Sequence, residues 1–212
     1  MVGKNSNDSA KGDPIGKAAL RVFAGVGYDI ASVQMIADAA GVDPREIRDR
    51  GGKNGLYREI LENFRQAQSA MLDRLEEVYT SDEAGFLSFV EGTLDFYLDH
   101  PYEMAIWQHR GLGDAVDLAG SEDLYRIPVL RRIAEITGLD IMQNPYSRMF
   151  SNQLTWSLRG FLFGGILGEG GRVWGPESPE GRRQFREQMH QLRDLLIDSG
   201  LIEVVRSGRP AR

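Results

Sequence analysis

The sequence predicts an all-α protein: a small N-terminal three-helix domain of helix-turn-helix type, followed by a larger helical domain. Three observations carry that expectation. Apolar residues recur at three- and four-residue spacing along most of the chain, the signature of helices with one buried face. No segment sustains the period-2 alternation of a half-buried strand. Glycine and proline cut the pattern into helix-length pieces.

The first helix starts near Pro14, a residue suited to the first helical turn, carries Ile15, Ala19, Val22, Phe23 and Val26 on one face, and ends at Gly27. A short second helix holds Val33, Ile36, Ala37 and Ala40, with Ser32 placed to cap it. Gly41-Val42 turns the chain. Asp43, Pro44 and Glu46 then have the spacing of an N-terminal capping box, and Gly51-Gly52 stops the brief third helix. A long amphipathic helix follows from about Asn54 to Tyr79 on Leu56, Ile60, Phe64, Met71, Leu75 and Val78. Further helices are expected over roughly Glu83 to Asp99, Tyr102 to Arg110, a piece holding Val129, Ile133 and Ile136 that ends at Gly138, Pro145 to Gly170, and Pro179 to Ser199. The expected domains are 14–56 and 57–203, between a polar tail at 1–13, which has no apolar core for a signal peptide, and a loose basic tail at 204–212.

Composition narrows the chemistry. The 212 residues include no cysteine, which excludes disulfides, thiolate metal sites, cysteine nucleophiles and iron–sulfur ligation, and fits a cytoplasmic setting. The longest apolar stretch of the second half, Gly160 to Gly168, is too short for a bilayer, which takes about 20 residues. A net charge of −6 speaks against nucleic acid at first sight. Residues 1–65, however, hold ten Lys and Arg against nine Asp and Glu, so the acidity belongs to the remainder.

Two short helices joined by a glycine turn form the unit whose second helix enters the DNA major groove. Here they are Val33–Ala40 and Pro44–Arg50. Ile47 points to the core, while Arg45 and Asp49 lie opposite, flanked by Arg48. Arginine reads guanine bidentately or grips phosphate, so Arg45 and Arg48 are the candidate base readers. Lys17, Ser32, Arg50 and Lys53 are candidate phosphate contacts, and Val33, Gln34, Asp43, Pro44 and Asp49 complete the expected DNA-facing set. The alternative is an exposed Arg45–Asp49 pair on solvated surface.

The order Ile15-Gly16-Lys17-Ala18-Ala19-Leu20-Arg21-Val22-Phe23, Gly27-Tyr28, Ser32-Val33, Ile36-Ala37-Asp38-Ala39-Ala40-Gly41-Val42 and Lys53-Asn54-Gly55-Leu56 resembles the N-terminal domain of TetR-family transcriptional regulators over roughly residues 14 to 62. The resemblance implies a homodimer, an operator-binding helix-turn-helix, and a C-terminal helical domain that binds a small-molecule effector and dimerises. One segment departs from the family. Arg48-Asp49-Arg50-Gly51-Gly52-Lys53 lacks the usual Tyr and Phe and is one residue short, and Ala31 stands where the family usually has Thr.

Candidate walls of an effector pocket are Phe86, Phe89, Tyr97, Trp107, Phe150, Trp156 and Phe161, with Gln108, His109, Arg110 or Asn152 as polar anchors; ordinary core packing is the alternative. Gly160, Gly164 and Gly168 recur every four residues, and each costs about 1 kcal/mol inside a helix, so close approach of another helix is the expected compensation. With Phe185, Met189, Leu192 and Leu196 on the last helix they form the expected dimer seam, packing within one subunit being the alternative.

Catalysis is not expected. His100-Pro101-Tyr102-Glu103 has proline where a metal-binding helix turn needs none, Gly168-Glu169-Gly170-Gly171 lacks the strand and spacing of a dinucleotide loop, and no cofactor or metal is implied. Two readings stand: a dimeric, effector-responsive repressor on double-stranded DNA, and a helical small-molecule- or partner-binding protein of the same fold that has lost operator binding.

Overall fold

The computed structural model describes residues 13–116, 118, 120–138 and 142–198; the expected tails, from residue 12 back and from 204 onward, lie outside the described residues. The chain is about 80% helical, with a two-strand sheet as its β structure, so the all-α expectation holds. In order the helices are α1 (Pro14–Ile30), α2 (Val33–Ala40), α3 (Pro44–Asp49), α4 (Gly52–Val78), α5 (Glu83–Leu98), α6 (Pro101–Gly111), a π-helical turn (Glu122–Arg126), α7 (Ile127–Thr137), α8 (Pro145–Gly164) and α9 (Pro179–Asp198). None of them is long and apolar enough to cross a membrane.

Local chemistry starts and stops these helices. The Asp13 carboxylate accepts from the Ile15 amide, with Pro14 at the first helical position of α1. α1 departs from helical geometry at Gly27 (φ 79°, ψ 170°), where it was expected to end, and turns once more to Ile30. Asn144 caps α8 by accepting from the Tyr146 and Ser147 amides.

The described residues of Met1–Ala67 and His100–Tyr125 form one compact unit, and those of Gln68–Asp99 and Arg126–Arg212 form another. In the first, α1 packs on α2 and α6, and α2 on α3. Their shared core contains Phe23, Ile36, Ile47, Leu56, Tyr57 and Ile106, each 1% exposed or less. Phe23, Tyr28 and Tyr57 make an aromatic triplet, Tyr57 edge-on to both of the others at 5.1 and 4.8 Å. In the second unit Met71, Leu72, Phe89 and Val129 form a core flanked by Leu75, Tyr79, Phe96, Ile133 and Ile136. There α5 packs on α8, and Phe161 of α8 stacks on Phe185 of α9 at 4.6 Å.

One expected helix is shorter than its pattern. The run Pro145–Gly170 leaves the helix after Gly164, because Gly165 has φ 72° and ψ −170°, which continues no helix. A small hairpin replaces the rest: β1 (Ile166–Leu167) pairs antiparallel with β2 (Val173–Trp174) through Ile166↔Trp174 and Leu167↔Val173, around a 3-10 turn at Glu169–Gly171. A Cβ on Gly165 would sit 2.6 Å from the Trp174 carbonyl oxygen, so the hairpin itself requires glycine there.

Candidate nucleic-acid interface

The α2–α3 connection is built by backbone capping from both sides. Gly41, left-handed at φ 70°, and Val42 send their amides back to the Asp38 and Ala37 carbonyls at 3.3 and 3.1 Å, a Schellman closure of α2. Ser32 opens α2 by accepting from the Met35 amide at 3.1 Å. The Asp43 carboxylate accepts from the Arg45 amide at 2.7 Å, while Glu46 Oε1 accepts from the Asp43 amide at 3.3 Å, completing the capping box. Inward, Ile47 is fully buried and ties α3 to the core.

The outward face of α3 carries Arg45, Arg48 and Asp49, all exposed. Neither arginine forms an ion pair with another described residue, and Arg45 and Asp49 are not paired with each other. Asp43 and Pro44 sit at the start of the same helix, spent on its cap. Ser32, Gln34 and, on α1, Lys17 are exposed, Gln34 donating to Asp38 at 2.7 Å, whereas Val33 packs partly against the core.

Two candidate phosphate contacts are committed elsewhere. Arg50 donates to both oxygens of Asp13 at 2.7 Å and to both of Glu59 at 2.7 and 2.8 Å, bracing the start of α1 against α4. Burial alone would raise the Asp13 carboxyl, but Arg50 and the Gly16 and Ile15 amides outweigh it and hold it below its ordinary value. Lys53 Nζ donates to the Tyr28 carbonyl at 2.9 Å and stands 4.2 Å from the centre of its ring. Arg50 and Gly51, the latter at φ 87°, separate the six-residue α3 from α4, which starts at Gly52 with φ 66°.

The residues proposed to wall an effector pocket are divided between the two units. Trp107, Gln108, His109 and Arg110 belong to α6 in the first unit. There His109 Nε2 donates to the Ala24 carbonyl at 3.0 Å, the tautomer its acceptor requires. Arg110, its side chain 7% exposed, pairs with Glu122 at 3.0 Å. Phe86, Phe89, Tyr97, Phe150, Asn152, Trp156 and Phe161 belong to the second. Phe86 meets Phe150 at 5.8 Å, Phe89 lies in the α4–α5–α7 core, Phe161 is buried against Phe185, and Asn152 and Trp156 are exposed.

The expected dimer seam needs correction at two positions. Phe185 is 4% exposed and stacked inside its own chain, so it has no surface to offer a partner. Gly168 lies in the hairpin rather than a helix, where a Cβ would meet Gln184 and Trp174 at 2.9 Å. Gly160 and Gly164 remain on α8, and a Cβ at either would meet nothing within 4 Å, so packing within the chain does not require them to be glycine. Met149, Trp156 and Phe163 are exposed on the same side of α8, which turns about 100° per residue. Met189 and Leu192 are half-buried on α9, and the Leu196 side chain lies outside the described residues.

Sequence reasoning missed Asp114. Its carboxylate accepts from the Tyr28 amide at 2.7 Å and the Asp29 amide at 2.8 Å, and lies against Gly27, pinning the kink inside α1. The partners are more than 80 residues apart, and nothing in the local pattern around Asp114 marks it. Compared with known proteins, the chain matches no family model and no curated protein.

Proposed function

We propose that this chain is an effector-responsive transcriptional regulator of the TetR kind, a cytoplasmic homodimer that holds operator DNA with α3 and releases it when a small molecule binds. It acts by binding rather than catalysis and uses no cofactor. The observation that carries the reading is α3 itself. A capping box and a buried Ile47 fix a short helix whose outward arginines, Arg45 and Arg48, are exposed and without carboxylate partners. Arginines held on a rigid helix with no internal counter-charge suit base edges and phosphates. The exposed apolar side of α8, with its two open glycines, supports a second copy as partner.

The test is a mobility shift on the DNA upstream of the chain's own gene across a salt series. Specific retention with a steep negative log–log slope supports regulation; weak, sequence-independent binding refutes it. Arg48→Ala and Arg45→Ala should each reduce the salt slope by about 1 if they meet phosphates, or relax specificity if they read bases. The second reading, a ligand-binding protein that no longer recognises an operator, is favoured by the six-residue length of α3 and by the engagement of Arg50 with Asp13 and Glu59. Retention no better than on random DNA is its signature.

A further inference from the structure

The Arg50 clamp fixes where the chain enters the first unit. Arg50 is the C-terminal cap of α3, and its Nη1 donates to both oxygens of Asp13, the residue that caps the start of α1. The seat for that carboxylate is close-fitting: the Ile15 amide donates to it, and a Cβ on Gly16 would collide with it. Asp13 is thereby held within one arginine side chain of the end of α3, the helix that displays Arg45 and Arg48. Residues 1–12 are joined to the unit at that point.

With Arg50 and Lys53 engaged inside the chain, Arg45 and Arg48 are the cations left to α3, few for a polyanion. Half of residues 1–12 are Lys4, Asn5, Ser6, Asn7, Ser9 and Lys11, and Asp8 is the one acid among them. Lysine, serine and asparagine side chains donate to phosphate and sugar oxygens. Neither a helical nor an alternating apolar pattern gives the segment a face to bury. Lys11 stands two residues from Asp13 and Lys4 nine. At 3.3–3.6 Å per residue they reach at most about 7 and 32 Å from it, the second about one turn of duplex. We propose that residues 1–12 are a second DNA contact beside α3, with Lys4 and Lys11 on phosphates. That α3 faces the duplex rests on the regulatory reading above; the charge that the two lysines bring to DNA of any sequence does not.

Fluorescence anisotropy on the full chain tests this with two labelled duplexes, the DNA upstream of the chain's own gene and a random sequence of equal length, between about 50 and 200 mM salt. Lys4→Ala together with Lys11→Ala is expected to lower the log–log salt slope by about 1.8 per copy on both duplexes, because each phosphate contact contributes about 0.9 and carries no sequence information. The loss of affinity across that salt range then shrinks roughly tenfold per copy. Lys4→Arg with Lys11→Arg should restore the slope. Removal of residues 2–11 keeps Asp13 and its clamp, so it should lower the slope as the alanines do with the melting temperature unchanged. Equal slope and affinity in wild type, the alanine variant and the shortened chain overturn the proposal, and so does a slope that falls in the shortened chain but not with the alanines. Wild type that holds the upstream duplex no better than the random one defeats the regulatory reading, while a lysine-dependent slope on the random duplex still upholds the contact. Preference for the upstream duplex with unchanged slopes defeats only the contact, and binding to neither duplex defeats both.

Discussion

Gly27→Ala should destabilise the first unit from a position outside α2 and α3. Gly27 sits at φ 79° and ψ 170°, a region in which a residue with a Cβ costs about 1–3 kcal/mol. The added methyl would also lie 3.0 Å from Asp114 Oδ1 and 3.1 Å from its carboxyl carbon. That carboxylate must then move away from the Tyr28 and Asp29 amides. Hydrogen bonds to a charged group contribute about 1.5–3 kcal/mol each, and the lower figure applies here because Asp29 is exposed and the bonds are weakened rather than lost. Weakening rather than losing the two bonds leaves about 1–2 kcal/mol for this part, so the expected destabilisation is about 2–5 kcal/mol, read as a lowered urea midpoint at unchanged slope. A double-mutant cycle separates the parts. With Asp114→Ala in place the collision disappears and only the backbone strain remains, so the pair should cost less than the sum of the singles by about 1–2 kcal/mol. A Gly27→Ala midpoint equal to wild type, or strict additivity in the cycle, refutes the account.

Arg50→Met should cost about 1–2 kcal/mol at neutral pH, the low end for two bidentate pairs because their side chains are a quarter to two-fifths exposed. Asp13 is held below its ordinary value in the folded chain, so its share of stability is present above the usual carboxylate range and lost as pH falls through its folded pKa. Urea titrations at a series of acid pH values should therefore show wild type and Arg50→Met converging. Tyr57 is fully buried; its hydroxyl makes no hydrogen bond of good geometry, and burial outweighs the opposing Arg110 guanidinium and pushes it up to about 12. Wild-type stability should fall between the ordinary tyrosine value of 10.0 and about 12, where the unfolded phenol ionises and the folded one does not, and Tyr57→Phe should remove that component. At neutral pH Tyr57→Phe should be neutral or stabilising, since no hydrogen bond of good geometry is broken; a loss above about 1 kcal/mol would show that the Arg110 guanidinium satisfies the hydroxyl. If two copies pair through α8 as proposed, Gly164→Leu and Trp156→Glu should shift sedimentation towards the monomer with circular dichroism unchanged; unshifted sedimentation refutes that seam.

What was legible in the sequence is what neighbouring residues decide among themselves. The capping box at Asp43 and Glu46, the Ser32 cap, the Gly41 turn and the inward Ile47 all lie within a few residues of their partners, and all stand as expected. The misreadings come from interactions across the chain. Arg50 read as a candidate phosphate contact because its acceptors, Asp13 and Glu59, lie 37 and 9 residues away. Asp114 was invisible for the same reason. The four-residue glycine spacing from Gly160 read as a helix stripe to Gly168, yet a stripe of glycines has no side chains to hold the helix on. Once Trp174 and Val173 supplied a partner strand, the chain turned at Gly165. Phe185 kept its expected helical position but not its expected direction, because Phe161 stood ready inside the same unit.

The Arg50 clamp changes the charge argument for DNA binding and makes it depend on assembly. With Arg50 neutralised by two carboxylates and Lys53 turned to Tyr28, the exposed, carboxylate-free cations of α3 are Arg45 and Arg48. Each phosphate neutralised contributes about 0.9 to the log–log salt slope. Two contacts would therefore lose roughly tenfold in affinity between 50 and 200 mM salt, and four contacts, one pair from each of two copies, about 150-fold. On the proposed function, a single copy would have too little charge on α3 to hold DNA firmly at physiological salt, and two copies together would be needed. The apolar side of α8 and the arginines of α3 thus belong to one claim. If Gly164→Leu yields a monomer, its salt slope should be half that of wild type, and an unchanged slope in a proven monomer would show that DNA is held by residues other than this pair.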